Sequence, residues 1–312
     1  MMTNNLKLCV KELIGKTIDI SNLTKTLIND KFYIFSFHEI TDSPSIFQKK
    51  NKLFVTKKIF KDQINFIKKL FKVINPEELI SNKVVKNSAL ITFDDGYLNS
   101  FHYGLDILSR LKITPVFFLN MSAIKNQIPL LPASIEYLEL YYKNFNYFIK
   151  KHKLSKPVSL SIKPSQFIML NDYIKFNKNK INKYQGKMVS YNYLKKEHKK
   201  KKFFIADHLY EHYNCLALNK VELDSIANKN SRILKNFNNF INIFSFPNGV
   251  PNICFNKKNV NWIKKLNYAK AFSNGNTTNS NSKKFLLDRI SLNNDDNSFN
   301  KFLFKIFRAK NN

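Results

Sequence analysis

The sequence predicts an α/β protein built on a parallel sheet. Three observations carry this reading. Short apolar runs alternate with stretches of helical periodicity. Several of the runs end on Asp, His or Pro. No internal repeat suggests a solenoid or propeller.

Taken in order, residues 1–30 read as an amphipathic helical lead-in. Tyr33 to Phe37 is the first apolar run, followed by His38-Glu39-Ile40. Thr56 is placed to cap a helix with Phe60, Ile64, Ile67 and Phe71 on one face. Val73-Ile74 is a short strand, and Ala89 to Phe93 the next full one. Leu105, Leu108 and Leu111 mark a helix, then Pro115 to Leu119 a strand. The rhythm stops between Asn120 and Lys202. Ile135, Leu138 and Tyr142 suggest one helix there, and Tyr173 to Lys202 is polar and reads as flexible or helical. A stretch this long without sheet rhythm is read as an insertion, residues 121–202, that either covers a cleft or runs over the surface. Order returns with Phe203-Phe204-Ile205, a strand ending at Asp207 and His208. A helix carries Leu223, Ile226, Ile233 and Phe237, and Ile241 to Phe246 is a strand that ends at Pro247. Val260, Ile263 and Leu266 mark a helix, Tyr268 to Phe272 a strand, and Asn274-Gly275-Asn276 a turn. Leu286 to Ile290 is the last strand, before a helix with Phe299, Leu303 and Ile306. Residues 31–309 thus form one domain with an insertion.

Composition sets bounds. A chain of 312 residues, 44% of them hydrophobic, buries a substantial core. No apolar run approaches the roughly 20 residues that span a bilayer. The N-terminal residues lack the apolar stretch of a secretory signal. Three widely spaced Cys (Cys9, Cys215, Cys254) do not suggest a disulfide framework, and the expectation is a cytoplasmic protein. The net charge of +30 would draw nucleic acid, acidic lipid or an anionic glycan. The Lys residues, however, are spread along the chain among Asn, Ile and Phe, all with A- and T-rich codons. No zinc-finger spacing or RNP-like motif supports a nucleic-acid module. The oligomeric state is not legible.

Two stretches carry chemistry. The run from Ser88 to Phe93 closes on Asp94, Asp95 and Gly96. In α/β sheets the C-terminal ends of strands are where sites are built. Successive side chains there point to opposite faces, so one acid can bind a metal while the other handles a proton. Simple turn chemistry is the alternative. The second stretch is His208-Leu209-Tyr210-Glu211-His212. On a helix this spacing puts both imidazoles on one face, and a loop can also converge them on one ion. Two His and a carboxylate, with open positions left, form a hydrolytic metal site.

These residues resemble the polysaccharide deacetylase family, also called NodB-homology or carbohydrate esterase family 4. Thr92 to Gly96 matches its first motif, TFDDG. His208 to His212 matches its second, H-[ST]-x-x-H, with Leu209 in place of the hydroxyl residue. Phe244 to Gly249 resembles the third, R-x-P-[FY]-G, keeping Pro247 and Gly249 but with Ser245 where Arg is expected. The resemblance implies an irregular (β/α) barrel of about seven strands and removal of N-acetyl or O-acetyl groups from a carbohydrate. It also implies that Asp95, His208 and His212 hold a divalent ion, most simply Zn²⁺, with Co²⁺ or Ni²⁺ as alternatives. Asp94 takes the family's general-base role.

The sequence also departs from the family. The usual general acid is a His in a late L-x-H motif, and no His follows His212. A circularly permuted branch takes its acid from an N-terminal strand, and His38 resembles that arrangement. A buried His that only supports the site is the plainer alternative. With the third-motif Arg missing, Arg289 at a strand end is the candidate to orient Asp94; an ordinary surface Arg is the alternative. Two other functions fit parts of the pattern. One is a non-catalytic barrel that binds glycan or another anion. The other is a zinc protease of the H-x-x-E-H kind with Glu211 as base, which leaves TFDDG unexplained.

Overall fold

The structure is a computed structural model and describes residues 11–16 and 31–311. Most of the expected N-terminal lead-in, and Cys9, lie outside the described residues. Residues 11–16 are helical, and Glu12 accepts from Asn300 Nδ2 at 3.0 Å, tying that turn to the C-terminal helix.

Strands β1 (Tyr33–Phe37), β4 (Lys72–Val73), β5 (Ser88–Phe93), β6 (Val116–Leu119), β7 (Phe204–Asp207), β8 (Phe240–Ser245), β9 (Lys270–Phe272), β10 (Leu286–Leu287) and β11 (Ile290–Ser291) form one sheet. A small second pair joins β2 (Glu39–Ile40) to β3 (Phe54–Val55). The main order is β10-β9-β8-β7-β6-β5-β1-β11, with β4 beside β5, and every pairing is parallel. The two ends of that order, β10 and β11, are separated only by Asp288 and Arg289. One segment therefore holds both edges, and the sheet curls until it meets itself. The result is an irregular (β/α) barrel in which β10 and β11 together act as a seventh stave beside β1, β5, β6, β7, β8 and β9.

Both faces of the sheet are covered, which is why the strands read as continuous apolar runs. Alternate positions fill the inside: Ile34, Leu90, Phe118, Ala206, Ile243, Phe272 and Leu287 belong to one cluster. The other set, Phe35, Ile91, Phe93, Phe117 and Ile205, faces the helices. Lys57–Leu70, capped by Thr56, buries Phe60, Ile64 and Ile67 there. The C-terminal helix Phe299–Asn311 packs on it through Phe66 and Phe302, ring centroids 5.9 Å apart.

Residues 121–202 leave the sheet between β6 and β7, which pair directly from Val116↔Phe204 to Leu119↔Asp207. They fold as short helices, among them Leu131–Tyr141, Asn171–Phe176, Lys178–Gln185 and Tyr191–Glu197. Their apolar positions, such as Ile135, Leu138, Phe145 and Ile181, join one buried cluster with Phe244, Phe246 and Ala271 of the barrel. The polar stretch after Tyr173 is thus helical and packed.

The last strand differs from the continuous run expected at Leu286 to Ile290. It breaks at Asp288, whose carboxylate accepts from Ser273 Oγ (2.7 Å), Gly275 N (2.6 Å), Thr277 N (2.9 Å), Thr277 Oγ1 (2.6 Å) and Arg289 N (2.9 Å). Five donors on one carboxylate fix the loop after β9 against the break.

Candidate active site

The period of two that fills the barrel also builds its open end. Two residues on from Ile34, Leu90, Ile243 and Leu287 come Ser36, Thr92, Ser245 and Arg289. All four are buried and polar. Asp94 follows Thr92 by two more residues, and His208 follows Ala206. The parallel register brings the ends together: Phe37 pairs with Phe93, and Asp94 N donates to Phe37 O at 2.9 Å. His38 and Asp94, far apart in sequence, thereby emerge side by side.

Asp94 is gripped from inside the barrel. Arg289 donates from Nη1 to Oδ1 and from Nη2 to Oδ2, both at 2.7 Å. Its Nη2 also reaches Ser245 Oγ at 2.7 Å, its Nη1 reaches Thr92 Oγ1 at 3.3 Å, and its Nε reaches Ser273 O at 3.2 Å. This is the two-point geometry that a guanidinium makes with a carboxylate. Arg289 is 0% exposed and Asp94 2%. Burial pushes the Asp94 carboxyl up, but Arg289 and then His208 outweigh it and hold the group well below the usual carboxylate range. Ser245, standing where the family has Arg, is a hydrogen-bond partner of the Arg289 guanidinium.

Asp95 turns the other way. It sits at φ +71° and Gly96 at +91°, and a Cβ on Gly96 would meet Ile124 Cδ1 at 2.8 Å. Asp tolerates this left-handed backbone and Gly is required by it, so the Asp-Asp-Gly order is dictated locally. Asp95 Oδ1 lies 3.7 Å from His208 Nε2 and 3.4 Å from His212 Nε2, and ligand atoms of the three residues fall within 4.8 Å of one another. Burial pushes both imidazoles down to about 4, so they are neutral. His208 Nδ1 lies 2.8 Å from Ser245 O, which only accepts; Nδ1 therefore carries the proton and Nε2 keeps its lone pair toward Asp95. Asp95 Oδ1 is buried with no hydrogen-bond partner among the described residues. A buried, unpartnered carboxylate oxygen beside two neutral imidazoles fits a divalent cation.

The two His do not ride on a helix. They leave the end of β7 in a loop, in which Leu209 takes φ +62°. A branched residue there is strained. Asp207 Oδ1 accepts from Leu209 N at 2.8 Å and from Asn230 Nδ2 at 2.8 Å, and Asp207 Oδ2 accepts from Tyr268 Oη at 2.7 Å. Asn120 Nδ2 donates to His208 O and, at 3.0 Å, to Leu209 O. Burial raises the Asp207 carboxyl to about 7. Asp207 was seen in the sequence only as a strand end, and Asn120 only as the start of the insertion. Their supporting roles depend on contacts distant in sequence.

These residues open on a cavity of about 470 Å³. His38, Asp94, Asp95, His208 and His212 line it, with Asn248, Asn274 and Asn276 from the loops after β8 and β9. The 121–202 segment adds Leu130, Pro132, Glu136, Glu139, Pro157, Ser159 and Leu160. Pro247 and Gly249 are not on the wall. Gly249, at φ +67°, brings its carbonyl to 2.6 Å from Asn274 N, and the turn they share presents Asn248. Glu211 is not on the wall either; it lies 3.7 Å from Lys229. Glu39, beside His38, is buried, and burial raises its carboxyl to about 8.

The polysaccharide deacetylase family matches residues 81–271, more than half of the chain. The chain belongs to the polysaccharide deacetylase family. It is a hydrolase that cleaves acetyl amide bonds in carbohydrates, and the family is metal-dependent. No curated protein matches it. Solved structures with the same fold include the Streptococcus pyogenes deacetylase PplD in complex with acetate, at 14% identity and TM-score 0.57, over 89% of this chain and 99% of that one. IcaB from Ammonifex degensii aligns at 12% identity and TM-score 0.55, over 89% and 97%. A de-N-acetylase from Aggregatibacter actinomycetemcomitans aligns at 13% and 0.56, over 88% and 98%. The family match spans Asp94, Asp95, His208 and His212 but stops short of His38 and Arg289. Only the fold brings those two to the site. No described helix is long and apolar enough to cross a membrane, and Cys215 and Cys254 are buried free thiols.

Proposed function

We propose that Asp95, His208 and His212 hold one divalent cation, Zn²⁺ in the simplest case, and that this deacetylase uses Asp94 as base and His38 as acid on an N-acetylated sugar. The observation that carries the reading is the buried, unpartnered Asp95 Oδ1 facing two neutral imidazoles. The mixed N and O donors suit Zn²⁺, and three protein ligands leave positions open. A bound cation there supplies Lewis-acid polarisation of the acyl oxygen and lowers the pKa of a water.

The chain's own residues do the rest. Asp94, ionised and oriented by Arg289, takes a proton from the attacking water as its oxygen bonds to the acyl carbon. His38 gives a proton to the amide nitrogen as the carbon–nitrogen bond breaks, releasing acetate and an amine. Arg289 holds both Asp94 oxygens at fixed angles, so the carboxylate meets the water without reorganising. The non-catalytic alternative drew on the missing Arg of motif three and the missing late His. A guanidinium on Asp94 and an imidazole on the cleft wall both weigh toward turnover.

Purified protein is expected to hold about one divalent ion per chain. His208→Ala and His212→Ala are each expected to lose it on dialysis and to stop releasing acetate. Full metal occupancy in the double variant would remove the basis for the ligand assignment.

A further inference from the structure

The loop that carries His208 and His212 holds a shape its sequence does not favour. It belongs to no helix or strand, and Leu209 takes φ +62°. A left-handed backbone is costly for a branched residue. His208 has an anchor on its ring, the Ser245 carbonyl at Nδ1. His212 lacks one: its Nδ1 is buried with no hydrogen-bond partner among the described residues. Where the second imidazole sits therefore depends on the backbone that joins the two.

That backbone is held from two sides. On one side, residues 120–122 take three consecutive carbonyls. Asn120 Nδ2 donates to His208 O and, at 3.0 Å, to Leu209 O, and Ser122 N donates to Tyr210 O at 3.1 Å. On the other side, Asp207 Oδ1 accepts from Leu209 N at 2.8 Å. A single carboxamide ties the two sides together. Asn230, on the helix Lys220–Leu234, accepts from Met121 N at 3.0 Å. Its Nδ2 donates to Asp207 Oδ1 and to Leu119 O, both at 2.8 Å. Tyr268 Oη occupies the other Asp207 oxygen at 2.7 Å. Asp207, Asn230 and Asn120 are all fully buried, and none of them lines the cleft. They touch no substrate, so their effect on the site passes through the loop. Buried polar networks of this kind rigidify what they hold.

Resting on the cation reading above, we propose that Asp207 and Asn230 are positioning residues of the metal centre. Through Leu209 N and the 120–122 turn, they hold residues 208–210 in the backbone shape that brings His208 and His212 onto one ion. The first turn of the 121–202 segment thereby belongs to the metal centre.

The test measures Zn²⁺ affinity by competition with a chelator of known affinity, on metal-free variants whose folding is verified by circular dichroism. Loss of a group that orients a metal ligand typically weakens binding ~10–100-fold. Asp207→Ala and Asn230→Ala are each expected to fall in that range. Because they share one set of bonds, the double variant is expected to lose far less than the product of the two single losses. Asp207→Asn is expected to stay close to wild type, since its carbonyl still accepts from Leu209 N and Tyr268 Oη can accept from its amide. A role confined to stability would lower the unfolding midpoint and leave the affinity of the folded protein unchanged. Wild-type affinity in folded Asp207→Ala or Asn230→Ala therefore overturns the proposal, and so does a loss of about tenfold or more in Asp207→Asn. An alanine variant that does not fold is replaced by Asn120→Ala, which removes the donor to His208 O and Leu209 O and is read in the same way. Wild type that binds no Zn²⁺ overturns the cation reading itself, an outcome distinct from binding that the variants leave unchanged.

Discussion

Arg289→Met is expected to cost on the order of 3–5 kcal/mol of stability, the range for breaking one side of a buried ion pair. The physical reason is what it leaves behind. Asp94 is buried, and both of its oxygens lose a donor at 2.7 Å. An uncompensated carboxylate that is only 2% exposed at the floor of the cleft must recruit water or a proton in place of two charge-assisted hydrogen bonds. Adding Asp94→Asn should therefore recover much of the loss, because a neutral amide needs no counter-charge. Arg289→Lys keeps a charge but cannot engage both oxygens at once. It is expected to retain more stability than Met while turning over slowly, since Asp94 would no longer be held at a fixed angle. Denaturant midpoints for the three variants, read beside acetate release, check this. A loss below about 1 kcal/mol for Arg289→Met, the scale of a surface pair, would mean that the guanidinium is not the partner Asp94 depends on.

His38→Ala is expected to slow hydrolysis of an N-acetyl sugar by ~10²–10⁴-fold, the usual worth of general-acid assistance. An activated acetate ester should lose far less, because its leaving group departs without a proton. His38 follows β1, next to Asp94 at the end of β5, and lines the same cavity. Among the described residues, no other His stands on that wall apart from the two assigned to the cation. Equal, small losses on both substrates would make His38 a packing residue and require the proton to come from another group.

The sheet was readable from sequence because each strand is an apolar run buried on both faces, and runs such as Ala89 to Phe93 have only one sensible structure. The open end of the barrel was readable for a related reason. Alternation carries Leu90 to Thr92 and Asp94, and Ala206 to His208, so polar residues at those offsets fall on one face. The pairing of Arg289 with Asp94 was visible only as a possibility, since it joins strand ends 195 positions apart. Three features gave no signal. The break at Asp288 is imposed by donors from residues 273–277. The left-handed backbone at Leu209 runs against the preference of a branched side chain and is held by Asp207. The wall made by Glu136 and Glu139 depends on how the helices of the 121–202 segment dock, which helical periodicity at Ile135 and Leu138 does not specify.

The central claim is a division of labour between adjacent carboxylates, with Asp95 on the cation and Asp94 on the proton. Bound metal and acetate release, measured on Asp94→Asn and Asp95→Asn after identical dialysis, test it most directly. Asp94→Asn is expected to keep about one ion per chain and to lose hydrolysis by ~10²–10⁴-fold or more, because the amide keeps the shape but cannot take the proton. Asp95→Asn is expected to lose the ion and the activity together. Retention of the ion by Asp95→Asn, with its loss from Asp94→Asn, would contradict the account and exchange the two roles.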